Sequence, residues 1–75
     1  YMQILLNKEH HKMMITSKTD EVSMISWVPG SSARDKFITG VGTELFVGKK
    51  EARSFLRKFV RLMEDNGYKI NFENK

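Results

Sequence analysis

Short apolar runs and one long amphipathic stretch organise this chain. Residues 2–6, with Ile4, Leu5 and Leu6, and residues 12–17, with Met13, Met14 and Ile15, read as two strands. Residues 22–28 alternate, with Val22, Met24 and Val28 on one face and Ile25 and Trp27 on the other, the period-two pattern of a third strand. The polar tetrad Lys18-Thr19-Asp20-Glu21 between the second and third runs suits a hairpin loop. The only proline opens Pro29-Gly30-Ser31-Ser32, turn chemistry that begins a loop over residues 29–35. A fourth strand resumes at Lys36 or Phe37, passes through Gly40-Val41-Gly42 and runs on to Val47. The paired glycines there suit a bulge, a bend or a tight turn, because glycine weakens a strand interior and permits close backbone approach.

The spacing predicts a helix over residues 49–66. Ala52, Phe55, Leu56, Phe59, Val60 and Met63 recur on one helical face. Asn66-Gly67 supplies a left-handed cap, with Tyr68 placed to fold back on Met63. Tyr68, Ile70 and Phe72 then alternate as a short final strand. The expected architecture is a single α+β domain over residues 1–75. It has an antiparallel sheet of four or five strands, with the helix of residues 49–66 packed on one face. Phe55, Leu56, Phe59 and Met63 are expected to be buried against that sheet. One helix covers only one face of a sheet, so the other face must be solvated, dimerised or used.

Size and composition narrow the chemistry. A chain of 75 residues buries only ~60% of its unfolded surface, and oligomerisation is a common way for such small domains to gain core area. There is no cysteine, which removes disulfides, thiolate zinc sites, iron–sulfur clusters and cysteine nucleophiles. The longest apolar runs are three residues, as in Ile4-Leu5-Leu6, too short for a membrane span or a signal-peptide core. The protein is therefore expected to be intracellular, in the cytoplasm. Thirteen Lys and Arg against nine Asp and Glu give a net charge of +4, which suits an anionic partner.

Two constellations stand out. Lys49, Lys50, Arg53, Arg57, Lys58 and Arg61 fall on the helix, and Lys50, Arg53, Arg57 and Arg61 form one stripe away from the apolar face. Cations in a first helical turn oppose the macrodipole by ~0.3–1 kcal/mol each. That cost fits a phosphate-binding ridge. It is equally consistent with a solvated face on which Arg57 and Arg61 pair with Glu64 and Asp65. Trp27, with Ile25 beside it, Phe46 on a later strand and the basic Arg34 and Lys36 nearby, outlines a platform for stacking single-stranded bases. The competing reading makes Trp27 core or a dimer contact. His10 and His11 are adjacent, so on a strand they point to opposite faces and do not share an ion. No metal, cofactor, phosphate-loop or nucleophile motif accompanies them, and no catalytic residue is assigned.

The segment Glu44-Leu45-Phe46-Val47-Gly48-Lys49-Lys50-Glu51-Ala52-Arg53-Ser54-Phe55-Leu56 resembles the strand-to-helix junction of phage integrase arm-site-binding domains. In those domains a three-stranded sheet enters a DNA groove with a helix behind it. The element order is also similar to that of the single-strand-binding domains of transcriptional coactivators, in which four strands precede one helix and chains dimerise. A strand after the helix departs from both patterns, and neither resemblance assigns a residue. The expectation is a non-enzymatic nucleic-acid-binding homodimer, with Lys50, Arg53, Arg57, Arg61, Arg34 and Lys36 on phosphates and Trp27 stacking or packing. The alternative is a small protein-binding module of the phage inhibitor or adaptor kind, docking on a host protein through its open sheet face or edge.

Overall fold

The computed structural model describes residues 2–32 and 34–74. Four strands, β1 (Met2–Lys8), β2 (His11–Ser17), β3 (Glu21–Pro29) and β4 (Lys36–Leu45), precede a helix, α1 (Lys49–Asp65), and a last strand, β5 (Lys69–Asn74). They form one five-stranded sheet in the order β4-β3-β2-β1-β5, antiparallel throughout. The first four strands are a meander held by local turns. Lys18 donates its backbone N–H to the Glu21 carbonyl at 2.8 Å, and Gly30 donates to the Asp35 carbonyl at 2.9 Å. After β4 the chain crosses the sheet as α1 and returns as β5 on the far side of β1. The fold is α+β, with the single helix on one face.

Alternation along each strand sorts side chains between two faces. Ile4 and Leu6 of β1, Met13 and Ile15 of β2 and Val22 of β3 point to the helix and are buried with Ala52, Leu56 and Val60. Of the helical residues expected to be buried, Leu56 is, with no exposed surface. Phe55, Phe59 and Met63 lie half-buried along the flank instead. The small side chain of Ala52 and the compact one of Val60 let that line of the helix sit closest to the sheet. The phenyl rings fill the wedge beside it, Phe55 lying 4.9 Å from the ring of Phe46 and 6.0 Å from that of Phe59.

The helix ends as its sequence indicates. Gly67 takes a left-handed φ of 97°. Its N–H donates to the Glu64 carbonyl, and Tyr68 donates to the Met63 carbonyl, both at 3.0 Å. These are the two bonds of a Schellman motif, and Tyr68 packs on the core cluster together with Met63. Lys8 sets its ammonium 5.7 Å from the centre of the Tyr68 ring.

Both edge strands carry a bulge. On β4, Ser26 pairs with Gly40 and Trp27 with Ile38, so Thr39 is an extra residue. Gly40 fits there because a Cβ would lie 2.8 Å from the Ser26 Oγ, an oxygen that also shares a 2.9 Å hydrogen bond with the Thr39 Oγ1. On β5, Leu6 pairs with Ile70 and Leu5 with Phe72, leaving Asn71 extra. Ile70 therefore shares the helix side with Leu6, and Phe72 the opposite side with Leu5. Simple alternation would have put Ile70 and Phe72 on one face, and the bulge separates them.

Leu56→Ala is expected to lower stability by about 3 kcal/mol, within the usual range for a fully buried leucine. Phe59→Ala should cost less despite removing more atoms, because that ring is half-exposed. Urea unfolding of both variants checks the order, and a larger loss at Phe59 would place the helix in the wrong rotation about its axis.

Candidate nucleic-acid interface

The junction between β4 and α1 sets where the helix begins. Phe46 leaves the strand and donates its N–H to the Asp20 carbonyl at 2.7 Å, tying this junction to the β2–β3 turn. Its ring then turns under the helix onto Phe55. Phe46 is thus not part of the aromatic platform expected with Trp27; it is a core neighbour on the other side of the sheet. Gly48 precedes the helix with no side-chain cap, so the first-turn N–H groups have no side-chain acceptor.

From that start the helix presents one basic surface. Lys50, Arg53, Arg57 and Arg61 are all exposed. With Lys49, Lys58 and Ser54 they line a shallow groove along the outer side of α1 that contains no acidic side chain. Among the described residues no ion pair joins Arg57 or Arg61 to Glu64 or Asp65. Lys18 extends the surface past the helix start. From the β2–β3 turn it lines a smaller groove with Lys49 and Arg53. Sequence spacing within the helix misses Lys18, because only the pairing of β2 with β3 and the Phe46–Asp20 bond bring that turn beside the helix. On the flank toward β5 the three arginines border Glu64, Ile70 and Glu73, which marks the acidic limit of the stripe.

Trp27, Lys36 and Arg34 lie elsewhere. Trp27 pairs with Lys12, and the next pair, Ser26 with the core residue Met13, points to the helix. Trp27 therefore faces the open side of the sheet, away from α1. Lys36 places its ammonium 5.0 Å from the centre of the Trp27 ring. Arg34 is exposed in the turn between β3 and β4. The seven candidate residues thus divide into a helix group of four and a hairpin group of three, with Trp27 and the stripe on opposite faces. No single flat ligand touches both on one chain.

The open face holds a second feature. Phe72, Leu5, Met14, Ile25 and Val41 are cross-strand partners in sequence, forming one apolar row over all five strands. Trp27 and Ile38 adjoin it as a pair. Val41 is 71% exposed and Phe72 51%.

His10 and His11 are exposed at the β1–β2 turn. Among the described residues no three His, Asp or Glu side chains gather into a metal-binding group, and no helix is long and apolar enough to cross a membrane. Comparison with protein-family models, curated proteins and solved structures gives no match for this chain.

The Lys36–Trp27 contact is worth roughly 0.5–1 kcal/mol at an exposed site. Lys36→Gln should lower the unfolding free energy from urea titration by that amount and alter the emission of Trp27, the only tryptophan. Unchanged emission would mean that the ammonium does not rest on the ring.

Proposed function

We propose that this chain is a non-enzymatic nucleic-acid-binding protein that acts as a homodimer in the cytoplasm. Phosphates lie along the α1 stripe of Lys50, Arg53, Arg57 and Arg61, with Lys49 and Lys18 continuing the track toward the helix start. The observation that carries this reading is the continuous groove of exposed basic side chains, with no carboxylate among the residues that line it. Such a surface repels itself, at a cost to the free protein that an anionic ligand relieves. Uncapped N–H groups and the positive end of the helix dipole add to the attraction at the first turn. Arg34, Lys36 and Trp27 form a separate contact at the β3–β4 hairpin, where Trp27 stacks or packs.

A second reading is favoured by the exposed apolar residues of β4. Ile38, Val41 and Leu45 are each more than half exposed, which suits a phage-type adaptor docking on a host protein through the sheet face or edge. Salt separates the two readings, because phosphate contacts release counterions and apolar docking does not.

Four phosphate contacts correspond to a log–log salt slope of about −3.6 on duplex DNA. Arg53→Gln combined with Arg57→Gln keeps two exposed positions in a good helix former. It should leave the far-UV circular dichroism unchanged while flattening the slope by nearly two units, with little dependence on base sequence. Fluorescence anisotropy on labelled oligonucleotides at several salt concentrations measures this. Failure of the parent protein to bind at low salt would remove the reading and favour protein docking.

A further inference from the structure

We infer that the open face of the sheet is where a second copy of this chain docks, and that the pair bridges two nucleic-acid segments. The bridging half rests on the nucleic-acid reading above; the pairing half does not.

The row Phe72–Leu5–Met14–Ile25–Val41 is centred on the molecule. β2 is the middle strand of the five, and Met14 is the middle residue of its seven. A two-fold axis lying in the interface and passing over Met14 therefore lays the row on its own copy. That self-complementarity is what an isologous interface requires. The charged side chains of this face, Lys12, Lys36, Lys69 and Glu21, lie outside the row, so the centre of the contact is apolar and its margin polar.

The area is of the right order. Five strands about 4.8 Å apart and seven residues long at about 3.3 Å each give a face of roughly 550 Å². Two copies remove about 1,100 Å², close to the ~1,000 Å² that marks a biological interface. A row with aliphatic side chains at four of its five positions has little on which bases could stack, which favours a second sheet over a nucleic acid as its cover.

Such packing fixes where the basic stripes go. The two sheets lie about 10 Å apart, and each helix, about 10–12 Å thick, sits on the outside. The helix axes stand roughly 30 Å apart and face in opposite directions. A nucleic acid along one stripe leaves the other free for a second segment.

The test uses the full chain. Sedimentation equilibrium should give a mass rising from 8.8 kDa toward twice that value across micromolar concentrations. Val41→Glu, at a site already 71% exposed, should hold the protein at the monomer mass with unchanged circular dichroism. Phe72→Glu, at the other end of the row, should do the same. In a second arm, one duplex is immobilised on beads and a fluorescent duplex is added with protein. The parent should capture the second duplex, whereas Val41→Glu should bind each duplex by anisotropy and capture none. Monomer mass for the parent at every concentration overturns the pairing, as does a folded Val41→Glu that still dimerises. A monomeric parent that loses nucleic-acid affinity on Val41→Glu assigns the face to nucleic acid instead. A parent that dimerises and binds one duplex without capturing another overturns the bridging. Dimerisation with no duplex binding supports the pairing while removing the nucleic-acid reading and the bridge with it.

Discussion

A helix about 10–12 Å across lies on a sheet whose five strands span roughly 20 Å between the edge axes. The mismatch in width organises the rest of the molecule. The helix seals a core over the inner strands, where Ile4, Leu6, Met13, Ile15 and Val22 meet Ala52, Leu56 and Val60. Most of β4 and all of β5 remain exposed, and no element among the described residues covers the reverse of the sheet. The described residues build one sheet and one helix and no further layer. The apolar surface beyond the core is therefore available to other molecules.

The division of labour between the faces follows from the same constraint. The helix uses one side to bury Leu56, so its cations project away from the sheet. The strands that bury Met13 and Val22 must alternate, which sends Trp27 and Ile25 to the far side. Charge and apolar surface are thus sorted onto opposite sides by the periods of helix and strand, without any need for long-range arrangement. The result is a molecule whose helix side carries the basic stripe and whose open side carries the apolar row, each suited to a different kind of contact.

Much of this was legible in the sequence because local periodicity carried it. The helix, its Asn66-Gly67 termination and the split of Val22 and Met24 from Ile25 and Trp27 depend only on near neighbours. The features that escaped depend on pairing between distant residues. Nothing in Thr39 or Asn71 as residue types announces a bulge, so the face taken by Phe72 could not be read from its spacing to Ile70. Phe46 sits in an apolar run that resembles strand, yet its N–H is claimed by Asp20 and its ring by Phe55. The six-residue apolar face of the helix left its rotation open, and the sheet settled it in favour of Ala52, Leu56 and Val60. Lys50, Arg53, Arg57 and Arg61 were found by spacing alone. Lys18 required the tertiary fold.

The two edge bulges have a consequence for how the protein behaves at high concentration. An exposed edge strand is a template on which another chain can continue the hydrogen-bond ladder, the first step toward ribbons and fibrils. At Thr39 and at Asn71 an incoming strand would meet an extra residue and a local twist, so its ladder would fall out of step partway along. Lateral polymerisation is blunted at both ends of the sheet by the same irregularities that turn Ile38 and Phe72 outward. A sheet with one face unsealed is in this way hindered from growing sideways into an aggregate.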